Sequence, residues 1–263
     1  MSQVSCIIPY YNGGDTIVRA IDSVIDSVYC LEVIIVVDAS PQPLEPHLTE
    51  RHLAHIKTGK LRVIALVSNH GQASARNIGA SVALGAYLSF LDQDDMYLQG
   101  FYDVTVTHLC DNPKLGAVTV GAEFYQDDKI VLDESDKRYV AEITSVPWNV
   151  VLRRNVFWLS GAFPVSAQFR TEVAGEDAVF KVLLNDLFSV AQTSSKFVRH
   201  YIREGSATDR YLKRSKVVDG EIVLTQLYDN EKNGDLTAAF DRQIKSTWEA
   251  LKAFNAVSQR KEF

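Results

Sequence analysis

An apolar run that ends in three carboxylates is the densest concentration of reactive groups in the chain. Asp92, Asp94 and Asp95 fall within four residues of one another in GAYLSFLDQDDMYL (85–98). Like charges at the mouth of a strand repel, so the arrangement calls for a positive partner. Two readings suit the residue types. In the first, Asp92 ends the strand and Asp94 or Asp95 caps the next helix. In the second, one or two of them hold a divalent cation, Mn2+ or Mg2+, a hard ion that takes carboxylate oxygens and shares them with a substrate phosphate. Gln72 and Arg76 stand one helical turn apart near the start of a predicted helix, where free N–H groups and a guanidinium suit an anion. The simpler reading of Arg76 is an ion pair with Asp92 or Asp95. Asp38 offers an acceptor to the imide N–H of uracil or thymine, and Tyr11 a ring face for a base. Their plain alternatives are a turn aspartate before Ser40-Pro41 and a packed tyrosine.

Hydrophobic patterning predicts the elements that must carry these groups. VSCIIPY (4–10), EVIIVVD (32–38), LRVIALV (61–67) and AYLSFLD (86–92) read as buried strands. Ile17, Ala20, Ile21, Val24, Ile25 and Val28 recur at spacings of three and four, one face of a helix with Asp15 as its cap. GQASARNIGASVALG (71–85) reads as a second helix. Alternating strands and helices predict an α/β fold with a parallel sheet covered on both faces. Ligands of such sheets bind outside the carboxyl ends of the strands. Tyr11 and Asn12, Asp38, and the acidic triplet each follow a predicted strand, so a cleft is expected along that edge. Further on, 98–112 reads as a helix, LGAVTVGAEFYQDDKIVL as strands turning near Asp127–Lys129, and GEDAVFKVLLNDLF as a helix with an acidic start. FVRHYIREGSAT reads as a strand and loop. Residues 209–260 read as helical, with Leu236, Phe240, Ile244, Trp248 and Leu251 as an apolar stripe that docks on the domain or on a second subunit of a homodimer.

The 263 residues are 46% hydrophobic and 23% charged, as in ordinary globular proteins, and the net charge of −6 argues against a general nucleic-acid binder. Three cysteines with no close pairing suit a reducing compartment. MSQVSCIIPYYN has neither a basic start nor a long apolar run, and no apolar stretch reaches the ~18 residues that cross a bilayer. These features predict a soluble cytoplasmic protein.

Taken together, the segments resemble the family 2 glycosyltransferases of the GT-A fold. VSCIIPYYNGGDTIVRAIDSV is similar to that family's opening strand, its P-x-Y-N turn (Pro9, Tyr11, Asn12) and its first helix. EVIIVVDAS resembles the segment whose aspartate reads the base. NHGQASARNIGASVALGAYLSFLDQDD is similar to the N-x-G…A-R-N-x-G…L-D-x-D-D run, and LSGAFP…AGEDAVF to the later block ending in an E-D pair. The resemblance covers residues 3–206 and implies a Rossmann-like, mostly parallel central sheet with helices on both faces. It implies a nucleotide-binding half (1–97) and an acceptor and catalytic half (98–208) of one domain, followed by a small helical extension (209–263). It also implies a UDP- or dTDP-linked sugar donor, a glycan or lipid-linked acceptor of bacterial type, and inversion at the anomeric carbon. By position, Tyr11 and Asp38 would bind the base, Pro9, Asn12 and Gln72 would belong to the nucleotide-donor site, Arg76 would bind the base or diphosphate, Asp92 the ribose or sugar, and Asp94, with Asp92, the metal. Asp177 would be the general base, with Glu176 orienting it or binding acceptor. Two departures stand out. The base-reading segment has only Asp38 where relatives carry two acids. Arg203 stands three residues before Ser206 where many relatives place a metal-binding histidine, and an arginine would bind the diphosphate directly.

Trp148, Phe157 and Trp158 lie where a ring could stack on an acceptor sugar, with core packing expected for at least two. Arg210, Lys213, Arg214 and Lys216 form a basic run suited to anionic lipid headgroups at a membrane face, or simply to a solvated helix surface. Competing functions fit less well. A sugar nucleotidyltransferase would carry a basic, glycine-rich loop after the first strand, and PYYNGGDT has no Arg or Lys. An aspartyl phosphatase would carry its D-x-D there. A catalytically silent nucleotide-sugar-binding protein would not need Asp94 and Asp177.

Overall fold

The computed structural model describes residues 3–170, 175–225 and 236–259, the last segment with its side chains from 238 to 252. The four predicted strands of the first half form as β1 (Val4–Tyr10), β2 (Cys30–Val37), β3 (Leu61–Ala65) and β4 (Tyr87–Phe90). They pair in parallel in the order β3-β2-β1-β4. Their connections carry α1 (Gly14–Asp22), α2 (Glu50–Thr58) and α3 (Gln72–Ser81). Parallel pairing needs such crossovers, and it brings the carboxyl ends of β1, β2 and β4 to one edge. Helix α2 has no counterpart in the sequence reading, because only His52 of its residues is buried and no apolar stripe marks it. Asp15 lies in the first turn of α1, not at its cap, which is Gly13. The helix also stops earlier than its stripe predicts: Val24 and Ile25 stay buried in the turn beyond it, and Val28 is exposed.

The second half extends the sheet. After β5 (Met96–Tyr97) and α4 (Phe101–Asp111) come β6 (Ala117–Gln126), β7 (Lys129–Leu132) and α5 (Lys137–Ser145). Then follow β8 (Val150–Arg153), α6 (Arg154–Leu159), α7 (Glu176–Leu187) and β9 (Val190–Tyr201). Beyond β4 the order is β8-β6-β9-β5, with β7 on β6. Strand β8 runs antiparallel to both neighbours and β9 parallel to β6, so most of the paired length in the sheet is parallel. The β6–β7 turn falls at Asp127 and Asp128, both at positive φ, as expected. Neither Asp94 nor Asp95 caps the helix that follows, since α4 begins only at Phe101.

Residues 209–260 depart from the helical expectation. Helix α8 (Ala207–Arg214) leads into an antiparallel hairpin of β10 (Ser215–Val218) and β11 (Glu221–Leu224), and helix resumes as α9 (Leu236–Gln259). The β-branched run at Val217, Val218, Ile222 and Val223 and the Asp219-Gly220 turn favour strands there. Of the predicted stripe, Phe240 and Ile244 dock with Ala239 on Phe169, Val179 and Leu183, so the helix covers its own domain. Leu236 lies outside the described side chains.

Helix α7 is held by an aromatic cluster. Phe90 at the end of β4 meets Phe157, Phe163 and Phe180 at ring-centroid distances of 5.2, 5.1 and 6.4 Å. Trp148 and Phe157 are buried as core residues, and Trp158 is exposed. The helix also buries Lys181, whose Nζ donates to Asn149 Oδ1 at 3.0 Å. Burial pushes this ammonium down to about 7. Above that value the unfolded chain retains a proton that the folded chain has released, so stability rises with pH up to the ordinary lysine value of ~10.4. Lys181→Met removes this slope. Between pH 7 and pH 10, the wild type should gain stability relative to the variant, measured as the difference in denaturant midpoint. A constant difference would contradict it.

Candidate active site

The centre of the site is a buried arginine. Arg76 is fully buried, with Nη2 donating to Asp92 Oδ1 at 2.6 Å and Nη1 to Asp177 Oδ1 at 2.7 Å. It reaches both because α3 lies tight against β1: a Cβ on Gly79 would stand 2.5 Å from Ile7 Cγ2. Burial works against the guanidinium, but Asp177, Asp92 and Glu176 outweigh it and hold Arg76 charged. The sequence reading paired Arg76 with Asp92 or Asp95; the structure gives it Asp92 and adds Asp177, 101 residues away. One turn earlier on α3, Gln72 Nε2 donates to Glu176 Oε1 at 2.6 Å. Two rungs therefore join α3 to the first turn of α7.

Each aspartate of the acidic turn has its own partner. Asp94 is buried, and its Oδ2 pairs with Arg203, while its backbone carbonyl accepts from Arg19. Burial and the neighbouring Asp92 raise its carboxyl, against Arg203 and His200. Asp95 is completely buried, accepting from Tyr201 N on Oδ1 at 3.0 Å and facing His200 Nδ1 with Oδ2 at 2.8 Å. Burial lifts Asp95 to about 6, and Asp95 lifts the imidazole to about 9 despite burial. Asp177 is raised well above the usual carboxylate range, chiefly by burial, with Glu176 and Asp92 adding to it and Arg76 opposing.

A cavity of about 580 Å³ opens over these groups. Pro9, Tyr11, Asp38, Gln72, Asp92, Asp94, Asp177 and Arg203 all line it, so residues from the three polar strand ends and from both halves share one space. The remaining predicted site residues stand behind it. Asn12, at φ +52°, accepts from Gln42 N through Oδ1 at 3.3 Å and so braces the loop after β2. Glu176 is buried beneath Gln72. Asp38 has duties that the sequence does not signal: its carboxylate accepts from His70 N at 2.7 Å and Gly71 N at 2.8 Å, fixing the loop into α3. Tyr11 presents a half-exposed ring.

Several polar lining residues escaped the sequence reading, among them Gln93, His200, Glu142 and Thr208. Gln93, between the aspartates, clamps the backbone of Tyr11, accepting from its N–H and donating to its carbonyl, both at 2.8 Å. His200 and Glu142 enter from β9 and α5. Arg203 holds the position three residues before Ser206 where the resemblance implies a histidine; His200 sits six before it, on the strand. As for a metal, Asp94 with Asp92 is a donor set of one or two carboxylates facing the cavity. That suits Mn2+ or Mg2+ sharing phosphate oxygens with a substrate. Among the described residues no group of three or more ligating side chains is gathered into a cage.

Removing Arg76 leaves two half-buried carboxylates, Asp92 and Asp177, without the buried cation they share. Arg76→Met should cost about 3–5 kcal/mol of stability, read by chemical denaturation, and Arg76→Lys should recover only part of it. An unchanged midpoint for Arg76→Met would refute the bridging role.

The profile of the family described as Glycosyl transferase family 2 matches residues 5–161. Over 92 residues the chain is 37% identical to the succinoglycan biosynthesis protein ExoO of Rhizobium meliloti (strain 1021), covering 35% of this chain and 25% of that protein. Over 101 residues it is 36% identical to the UDP-Glc:alpha-D-GlcNAc-diphosphoundecaprenol beta-1,3-glucosyltransferase WfaP of Escherichia coli, covering 37% and 38%. The chain thus spans about a quarter to two fifths of the length of these two relatives. In fold it is similar to S. aureus TarS 1-349 in complex with UDP-GlcNAc, with a TM-score of 0.66 at 16% identity over 92% of this chain and 66% of that one. It is likewise similar to the mannosyltransferase PcManGT from Pyrobaculum calidifontis in complex with GDP-Man and Mn2+, with a TM-score of 0.61 at 17% identity over 81% and 60%. Since the profile runs through more than half of the sequence, from β1 past the acidic turn to α6, the chain belongs to glycosyl transferase family 2.

Proposed function

We propose that the chain transfers a sugar from a UDP- or dTDP-linked donor to an acceptor hydroxyl, with inversion, in glycan, polysaccharide or glycolipid assembly of bacterial type. The observation that carries this reading is that Asp94 and Asp177 line one cavity, joined beneath it through Asp92 and Arg76. In this reading residues 1–97 bind the nucleotide, 98–208 supply the acceptor side and the base, and 209–263 form an extension. Relatives whose names refer to succinoglycan and to a diphosphoundecaprenol-linked acceptor support the class of product.

The base lies against the Tyr11 ring beside Pro9 and Asp38. Arg203 meets the diphosphate. Asp177 takes the proton of the acceptor hydroxyl as that oxygen attacks the anomeric carbon, and the bond to the diphosphate breaks with its electron pair leaving on phosphate. Its burial makes Asp177 a stronger base than a free aspartate, and Arg76 keeps the carboxylate oriented. A divalent cation held by Asp94, with Asp92, would neutralise charge on the departing diphosphate. No helix among the described residues is long and apolar enough to cross a membrane. In this reading a lipid-linked acceptor is met at a membrane surface in a cytoplasmic setting, where the basic run around Lys216 suits anionic headgroups. Within that run Lys213 pairs with Asp209, and Arg210 donates to the carbonyl of Gly205.

Asp177→Asn should lower transfer by ~10²–10⁴ while UDP or dTDP still binds; retained turnover would remove Asp177 from the role of base. Because a general base works only when deprotonated, kcat/KM of the wild type should fall on acidification, and the raised carboxyl sets that limb above the ordinary aspartate range of ~3.9. NMR of the product anomer tests the stereochemistry, and a retained configuration would reject single displacement.

A further inference from the structure

A chain of four buried polar side chains crosses the floor of the cavity from the acidic turn to its far wall. Asp95 Oδ2 faces His200 Nδ1 at 2.8 Å, His200 Nε2 lies 3.3 Å from Thr208 Oγ1, and Thr208 Oγ1 donates to Glu142 Oε2 at 3.0 Å. The hydroxyl has one proton, and Glu142 takes it, so Thr208 faces the ring with a lone pair and Nε2–H donates to it. With Asp95 accepting on the other side, both ring nitrogens are donors. The ring is fixed in its plane as well: it stacks on Trp148 at 5.0 Å and 12°, and meets Phe124 edge-on at 5.4 Å.

Each residue in this chain belongs to a different element. Asp95 is the last carboxylate of the turn that carries Asp94. His200 is the penultimate residue of β9, three residues before Arg203. Thr208 lies in the first turn of α8, whose Ser206 cap accepts from Asp209 N. Glu142 is on α5. Arg203 is half-exposed and pairs with Asp94 across the loop between His200 and Thr208, so its loop is anchored on both sides by the same imidazole.

Building on the donor and acceptor roles proposed above, we propose that His200 is a positioning residue that latches the Arg203 loop and α8 onto the acidic turn. Its ring sets the spacing between the diphosphate contact and the acceptor wall formed by α5 and α8. An unlatched loop presents Arg203 in its bound position for only part of the time, and apparent affinity for a diphosphate falls by that fraction.

Thr208→Val removes the hydroxyl with little change of shape, and Thr208→Ser retains it. Hydrogen exchange on the free protein should show faster exchange at residues 202–211 in Thr208→Val, with β1–β4 unchanged, and wild-type protection in Thr208→Ser. Calorimetric titration with UDP and with dTDP should show binding weakened on the order of tenfold in Thr208→Val and restored in Thr208→Ser. In an Arg203→Met background the Thr208→Val change should add no further loss, because the latch acts through Arg203. Exchange unchanged at 202–211 overturns the latch, whatever the substrate. Faster exchange with unchanged affinity, or losses that multiply in the double variant, overturns its role in binding. A wild type that binds neither nucleotide counts against the proposed function itself, and the exchange result still decides the latch.

Discussion

One guanidinium buried between two carboxylates organises the molecule. Arg76 joins Asp92, just beyond β4, to Asp177, in the first turn of α7, and so ties the acidic turn to that helix. A lone guanidinium would not be buried there without the two carboxylates that answer its charge. The constraint reaches outward. Helix α3 must approach β1 closely enough for the side chain to arrive, which the missing Cβ at Gly79 permits. Helix α7 must meet it from the other side, where Phe90, Phe157, Phe163 and Phe180 hold the backbone in register.

Crowding of charge at the acidic turn is resolved by division. Asp92 is answered by Arg76, Asp94 by Arg203, and Asp95 by His200 and the Tyr201 N–H. Only the first two face a ligand-sized cavity with their carboxylates. Asp95, the most deeply buried, is a structural anchor that returns β9 to the turn, beside the short β5–β9 ladder. Neighbouring residues of one type thus carry different duties, set by which element passes each of them.

The opposite edge of the sheet gives a useful contrast. Glu32 is buried there, accepting from Ser5 Oγ and Leu84 N at 2.7 Å each and pairing with Arg62 at 2.6 Å. This carboxylate is as thoroughly paired as Asp95, yet it adjoins no cavity of the site and only closes the β3–β4 crossover against β1. Burial and pairing alone do not mark function. Position at the carboxyl ends of parallel strands does.

Period and order along the chain already determined much of this. Apolar runs at 4–10, 32–38, 61–67 and 86–92 specify strands, the repeat along 71–85 specifies α3, and their alternation specifies a parallel sheet with its polar strand ends on one edge. Those are local signals, since side-chain periodicity follows from backbone geometry within a few residues. The same signals misread 215–224, where β-branched residues in a hairpin replaced a helix, and missed α2, which buries too little to show a stripe. Only the tertiary structure decided the partners: Asp177 for Arg76, Glu176 for Gln72, His200 for Asp95, Gln93 for the Tyr11 backbone. These contacts join residues some 80 to 105 positions apart. A polar side chain's choice of partner depends on which groups are left without water when the elements close, and no local pattern encodes that.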